Sequence, residues 1–143
     1  MPIAIEERLG TDIKRVEQVL MAAKQRALRE LDLTVPQYAV LYGLAAAPGI
    51  SAAALARDGL VTPQTVGAVL TNLEQRGLIE RGPHPFYRNA REIRLTDKGH
   101  EALAAADERA SAIEQRLLDA FDDRERDTLR ALLRRCFDVL TAD

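Results

Sequence analysis

Few residues in this chain could carry out covalent chemistry, and they are scattered. Among 143 residues there are two histidines, His84 and His100, and a single cysteine, Cys136. Nucleophilic catalysis needs a base within hydrogen-bond reach of a serine or cysteine, and neither histidine belongs to a recognisable nucleophile motif. The spacing of His84, His100 and Cys136 matches no common zinc site, and no glycine-rich phosphate loop occurs. The expectation is a protein that is not an enzyme and uses no metal or cofactor. Cys136 lies in an apolar stripe and is expected in a core, without a redox role.

Two other groups of residues suit recognition. Thr62 and Pro63 read as the cap and first position of a helix to Gly77 whose apolar residues, Val66, Val69, Leu70 and Leu73, share one face. That leaves Gln64, Thr65, Gly67, Ala68, Thr71, Asn72 and Gln75 facing outward. Amide side chains can pair with the two polar atoms of an adenine edge, and Thr and Ala methyls can touch thymine. Gly67 costs ~1 kcal/mol in a helix interior relative to Ala, which points to close approach by a partner. The second group is RGPHPFYRNAREIRLT, residues 81 to 96. Pro83 and Pro85 stiffen this loop and lack ladder N–H groups, Arg88 and Asn89 lie near its tip, and Arg91 and Arg94 follow. A planar guanidinium can enter a narrow minor groove or bind phosphate, while Phe86 and Tyr87 could pack under the loop or stack on sugars. Taken singly, each group also fits an ordinary solvated surface.

The elements that would position these groups follow from punctuation. Leu9, Ile13, Val16 and Leu20 form one stripe of a helix from about 5 to about 30. Thr34 with Gln37 reads as a capping box, with Pro36 in the first turn, opening a helix that Pro48-Gly49 closes. Ser51 caps a short helix from Ala52 to about Arg57. The turn Asp58-Gly59-Leu60-Val61 then leads to the Thr62 helix, and two short helices so joined are a helix-turn-helix signature. Leu78 to Arg81 and Arg91 to Leu95 read as the strands of a hairpin. Thr96 caps a helix with a near-heptad seam through Leu103, Ala106, Ala110, Ile113, Leu117 and Phe121. Asp122 with Glu125 caps a last one bearing Leu129, Leu132, Leu133, Cys136, Val139 and Leu140.

Composition sets the outer limits. The chain is 47% hydrophobic and 29% charged, with no apolar run near the ~18 residues of a membrane span. Its start, MPIAIEERLG, carries no secretory pattern, so a cytoplasmic location is expected. The net charge of −2 hides a sorting along the chain: residues 54 to 99 hold seven basic against five acidic side chains, and residues 101 to 143 hold seven against eleven. A weakly basic middle beside an acidic end fits a DNA reader with a separate association region. The terminal helices carry more apolar surface than a small winged core covers, so a twofold homodimer is expected.

LARDGLVTPQTVGAVLTNLEQRGLIER at 55 to 81, with IRLTDKG at 93 to 99, resembles the MarR family of bacterial winged helix-turn-helix regulators. LExRGLIxR followed at a distance by LTxKG is the specific part, and the likeness covers nearly the whole chain. The resemblance implies a mainly α fold with a small β-hairpin wing, in which a winged helix-turn-helix core is flanked by N- and C-terminal dimerisation helices. It also implies one domain over 1–143, with dimerisation helices at about 5–31 and 97–141 and the DNA-binding region at about 34–96. Carried over by position, DNA contact falls on the N-terminal half of the 62–76 helix and on Arg88; together with the outward face and the loop arginines read above, the candidate contacts are Thr62, Pro63, Gln64, Thr65, Gly67, Ala68, Thr71, Asn72, Arg88 and Arg91. Where family wings commonly have an acidic residue two before the tip arginine, this chain has Phe86. Regulators of this kind usually repress, and many release DNA when a small aromatic or phenolic acid binds. Tyr38 and Tyr42, one turn apart, would line such a pocket, although the same spacing suits core packing. The expected partners are double-stranded DNA, a second copy of the chain and such a ligand. The competing reading is a winged-helix protein-interaction module without operator binding, because the outer face of the 62–76 helix has no Lys or Arg.

Overall fold

The computed structural model describes every residue except 59–60, 84–85, 87–90 and 143. It divides into two units, Met1–Ala110 and Ser111–Asp143.

In the first unit, a 3-10 turn at Ile5–Glu7 precedes helix α1, Leu9–Arg29. The single helix expected from about residue 5 is therefore interrupted. Arg8 is extended (φ −83°, ψ 106°), and its Nε donates back to the Ile3 carbonyl at 2.9 Å. Helix α2, Val35–Ala46, opens on the expected capping box: Thr34 Oγ1 accepts from Gln37 N, and Gln37 Oε1 accepts from Thr34 N. Gln25 of α1 accepts from Val35 N and donates to the Leu33 carbonyl, which holds the entry of α2 against α1. Ser51 Oγ accepts from Ala54 N in the first turn of α3, Ala52–Asp58. Thr62 Oγ1 likewise accepts from Thr65 N at the start of α4, Pro63–Gln75.

Strands β1, Ile79–Pro83, and β2, Arg91–Leu95, pair antiparallel with Ile79 opposite Leu95 and Pro83 opposite Arg91. The first strand thus runs two residues past Arg81, the expected end. Pro83 is tolerated because it takes the last ladder position of an edge strand, where no N–H need be given to a partner. Helix α5, Asp97–Asp119, follows.

The core is built around α4. Val66, Leu70 and Leu73 are fully buried with Leu28, Val40, Leu41 and Ile79, and Leu33, Leu44, Leu55, Ala56, Val69, Leu78, Ile93 and Ala106 belong to the same cluster. Each buried leucine, isoleucine or valine contributes about 1.5–3 kcal/mol relative to exposure.

The LExRGLIxR and LTxKG residues account for one junction. Gly77 has φ +73°, a conformation that favours glycine. Its carbonyl accepts from Thr96 Oγ1 at 2.6 Å, and the same hydroxyl accepts from Gly99 N at 3.0 Å. Lys98 Nζ donates to the Arg76 carbonyl, and Arg76 Nη1 to that of Asp32. Glu74 and Arg81 form an ion pair at 2.9 Å. At Gly99 the Leu78 carbonyl occupies the place of a β-carbon.

In the second unit, α5 ends and α6, Asp123–Thr141, begins on a capping box of Asp122 and Glu125. Arg126 Nε donates to the Leu118 carbonyl at 2.8 Å and so fixes the turn between them. No residue of α6 is buried. Cys136, expected in a core, is only half-buried, because the apolar residues around it on α6, Leu132, Leu133, Val139 and Leu140, are themselves exposed. The stripe of α1 is open too: Leu9, Ile13 and Val16 are all exposed.

Candidate nucleic-acid interface

Helix α4 presents the face its periodicity implies. Thr62, Pro63, Gln64, Gly67, Ala68, Thr71, Asn72 and Gln75 are exposed and Thr65 is half-exposed, opposite buried Val66, Val69, Leu70 and Leu73. Hydrogen bonds already limit what several of them can offer. Thr62 Oγ1 caps the helix and donates to Thr65 Oγ1 at 2.8 Å. Thr71 Oγ1 donates to the Gly67 carbonyl at 3.1 Å, so it can only accept from a partner while its methyl stays outward. Asn72 Oδ1 accepts from Gln37 Nε2 at 3.0 Å. A β-carbon built on Gly67 meets nothing within 4 Å, so no packing within the described residues requires glycine there.

The hairpin supplies the cations. Arg91 is exposed at the start of β2. Arg94 is held by Glu92 at 2.8 Å, and that hydrogen bond together with the carboxylate's charge raises the guanidinium pKa above its ordinary value. Arg88, His84, Tyr87 and Asn89 lie outside the described residues. Phe86 is 85% exposed, so it does not anchor the hairpin by burial.

Tyr38 and Tyr42 come together with ring centroids 6.2 Å apart. Both line a cavity of about 430 Å³ with Lys24, Val35, Ala39, Gly43, Ala46, Ala47, Ile50 and Leu55. Tyr38 is half-buried against the core, and its hydroxyl donates to Asp107 Oδ1 at 2.6 Å. Tyr42 is 56% exposed and departs from a core placement, because its side of α2 is left open at this cavity. A largely apolar cavity of this size suits a small organic ligand.

Two tertiary links escaped sequence reasoning. Gln37 was legible as a cap, but its second bond reaches a residue 35 positions on. Tyr38 pairs with a carboxylate 69 positions away. Neither has a local signal. Among the described residues no group of three His, Cys, Asp or Glu side chains could hold a metal, and no helix is long and apolar enough to cross a membrane.

A model described as MarR family matches residues 31–86. The HTH-type transcriptional repressor Rv2887 of Mycobacterium tuberculosis is 34% identical over 118 residues, covering 82% of this chain and 85% of the relative. This chain belongs to the MarR family. Another relative, the transcriptional regulator HosA of Escherichia coli O111:H-, is 34% identical over 104 residues, 73% of this chain and 77% of HosA. Two solved structures extend the likeness to the fold. Rv2887 in complex with salicylic acid has a TM-score of 0.74 at 30% identity, covering 94% of this chain and 99% of that one. The transcriptional repressor CouR bound to a 23-mer DNA duplex has a TM-score of 0.82 at 28% identity, covering 95% and 99%. The protein is accordingly a MarR-family transcriptional regulator with a winged-helix fold.

Proposed function

We propose that this MarR-family regulator is a homodimeric repressor whose two α4 helices read a pseudo-palindromic site, and that a small aromatic or phenolic acid releases it from DNA. One observation carries the reading: α4 exposes a continuous face of amides, hydroxyls and small residues opposite a fully packed apolar face. Thr62, Pro63, Gln64 and Thr65 approach the backbone at the helix N-terminus. Gly67, Ala68, Thr71 and Asn72 meet base edges. Arg91 binds phosphate, and Arg88 enters the adjacent minor groove. That the relative CouR was solved on a DNA duplex supports this assignment.

The dimer is supported by the open apolar stripes of α1 and α6, with residues about 5–31 and 97–141 as association helices of one domain and about 34–96 as its reading region. The effector would enter the cavity at Tyr38 and Tyr42, which draws walls from α1, α2 and α3. A ligand there acts by favouring a dimer geometry in which the two α4 helices no longer match half-sites one helical turn apart. The complex of Rv2887 with salicylic acid supports an aromatic acid as the class. We place the protein in the cytoplasm, with its DNA.

The test is a salt series with mixed-sequence duplex DNA. Affinity should fall steeply with salt, and Arg88→Ala should reduce the log–log slope by about one. Absence of binding at low salt would instead favour a protein-interaction module. For the effector, salicylate should displace bound duplex from the wild type but not from an Ala46→Leu variant, in which the longer side chain narrows the cavity at Tyr42.

A further inference from the structure

We infer that Gln37, a residue of α2, fixes Asn72 as a hydrogen-bond donor toward DNA, so that this position gives up the bidentate pairing with adenine and rejects cytosine, whose major-groove edge offers only a donor. The inference rests on the DNA-reading role of α4 proposed above. Its logic is one of donors and acceptors. The Thr34 backbone N–H can only donate, so the atom of Gln37 that faces it at 2.9 Å must be the oxygen, Oε1. Gln37 is thereby oriented, and its Nε2 is the atom directed at Asn72, 3.0 Å away. Nε2 can only donate, so Asn72 must turn its oxygen, Oδ1, toward α2. What remains for a partner on this exposed residue is the amino group, Nδ2.

The adenine pairing of an asparagine needs its oxygen and its nitrogen together on one base edge. Here the oxygen is already engaged. An outward amino group alone suits any base that presents an acceptor in the major groove, O6 or N7 of guanine, O4 of thymine or N7 of adenine, and is repelled by cytosine, which presents only its amino group. The helix cap of α2 thus sets the polarity of a side chain on the reading helix, and Gln37 is a positioning residue that need not touch DNA.

The experiment is selection of bound duplexes from a randomised pool by the full-length wild type, Gln37→Glu and Asn72→Asp. Glutamate at 37 still accepts from Thr34 N, so the cap persists, but it can no longer donate. Asn72 then turns over, gives Nδ2 to the carboxylate and presents Oδ1 outward. Aspartate at 72 accepts from Gln37 with one oxygen and presents the other. Both variants should therefore turn the same symmetric position from rejecting cytosine to accepting it in place of guanine and thymine, raising the ratio of cytosine to those two bases there at least tenfold. The Asn72 side-chain amide signals should shift in the Gln37→Glu protein without DNA. Variants that select the wild-type site unchanged, or lose affinity equally for all sequences, would overturn the inference and leave the DNA-reading proposal standing. A wild type that enriches no site overturns that proposal, and the inference with it.

Discussion

Gly67 separates what the fold needs from what recognition needs. A methyl there meets no neighbouring atom, and the backbone of the residue is helical. Gly67→Ala should therefore stabilise the protein by about 0.5–1 kcal/mol, read as a raised midpoint in chemical denaturation. The same methyl would stand between α4 and a base edge, so duplex affinity should fall roughly tenfold, about 1.4 kcal/mol. Loss of stability would mean that glycine serves the fold instead. The outward residues of α4 were legible because four apolar residues at helical spacing define the opposite face. The state of their polar atoms was not. That Asn72 Oδ1 accepts from Gln37 follows only from packing α2 against α4, and that Thr71 gives its hydroxyl hydrogen to the Gly67 carbonyl one turn back is one of the rotamers open to a helical threonine.

Elements begin and end where short polar side chains and glycines place them, and Thr96 does this for two elements at once. Its hydroxyl caps α5 at Gly99 N and ties that helix to the left-handed Gly77 that ends α4. Thr96→Ala should cost about 1–2 kcal/mol, and Thr96→Ser should recover most of it. Equal stability of the alanine and serine variants would count against this role. Gly99→Ala should cost about 1–3 kcal/mol in the same assay, because the Leu78 backbone fills the space of the new methyl. Helix starts were legible to the residue at Thr34, Ser51, Thr62 and Asp122, since a cap is a local bond within one turn. The extent of β1 was not, since a proline that ends strands in general is acceptable at the last rung of this one.

At the scale of the molecule, the apolar stripes of α1 and α6 are left open among the described residues. Leu133 is 50% exposed and Leu140 81%, and apolar area of this kind is normally covered by association. In the proposed dimer Leu133→Asp would bury an unpaired carboxylate in each copy. The dissociation constant should rise roughly 100-fold or more, over about 3 kcal/mol, seen as monomer in sedimentation equilibrium. A wild type that sediments as monomer at any concentration would sink the dimer. The stripes themselves were visible in the sequence as repeated spacings, but spacing does not say which face a chain can cover alone.

Helix α6 buries none of its 19 residues, and in proteins most helical stability comes from packing of an amphipathic face. Its order is then supplied by whatever covers it, and if that is a second copy, folding becomes a bimolecular event. The melting temperature should climb with the logarithm of protein concentration. Abundance would then act twice on the regulated promoter: it sets how many repressors exist and what fraction of each is structured enough to bind.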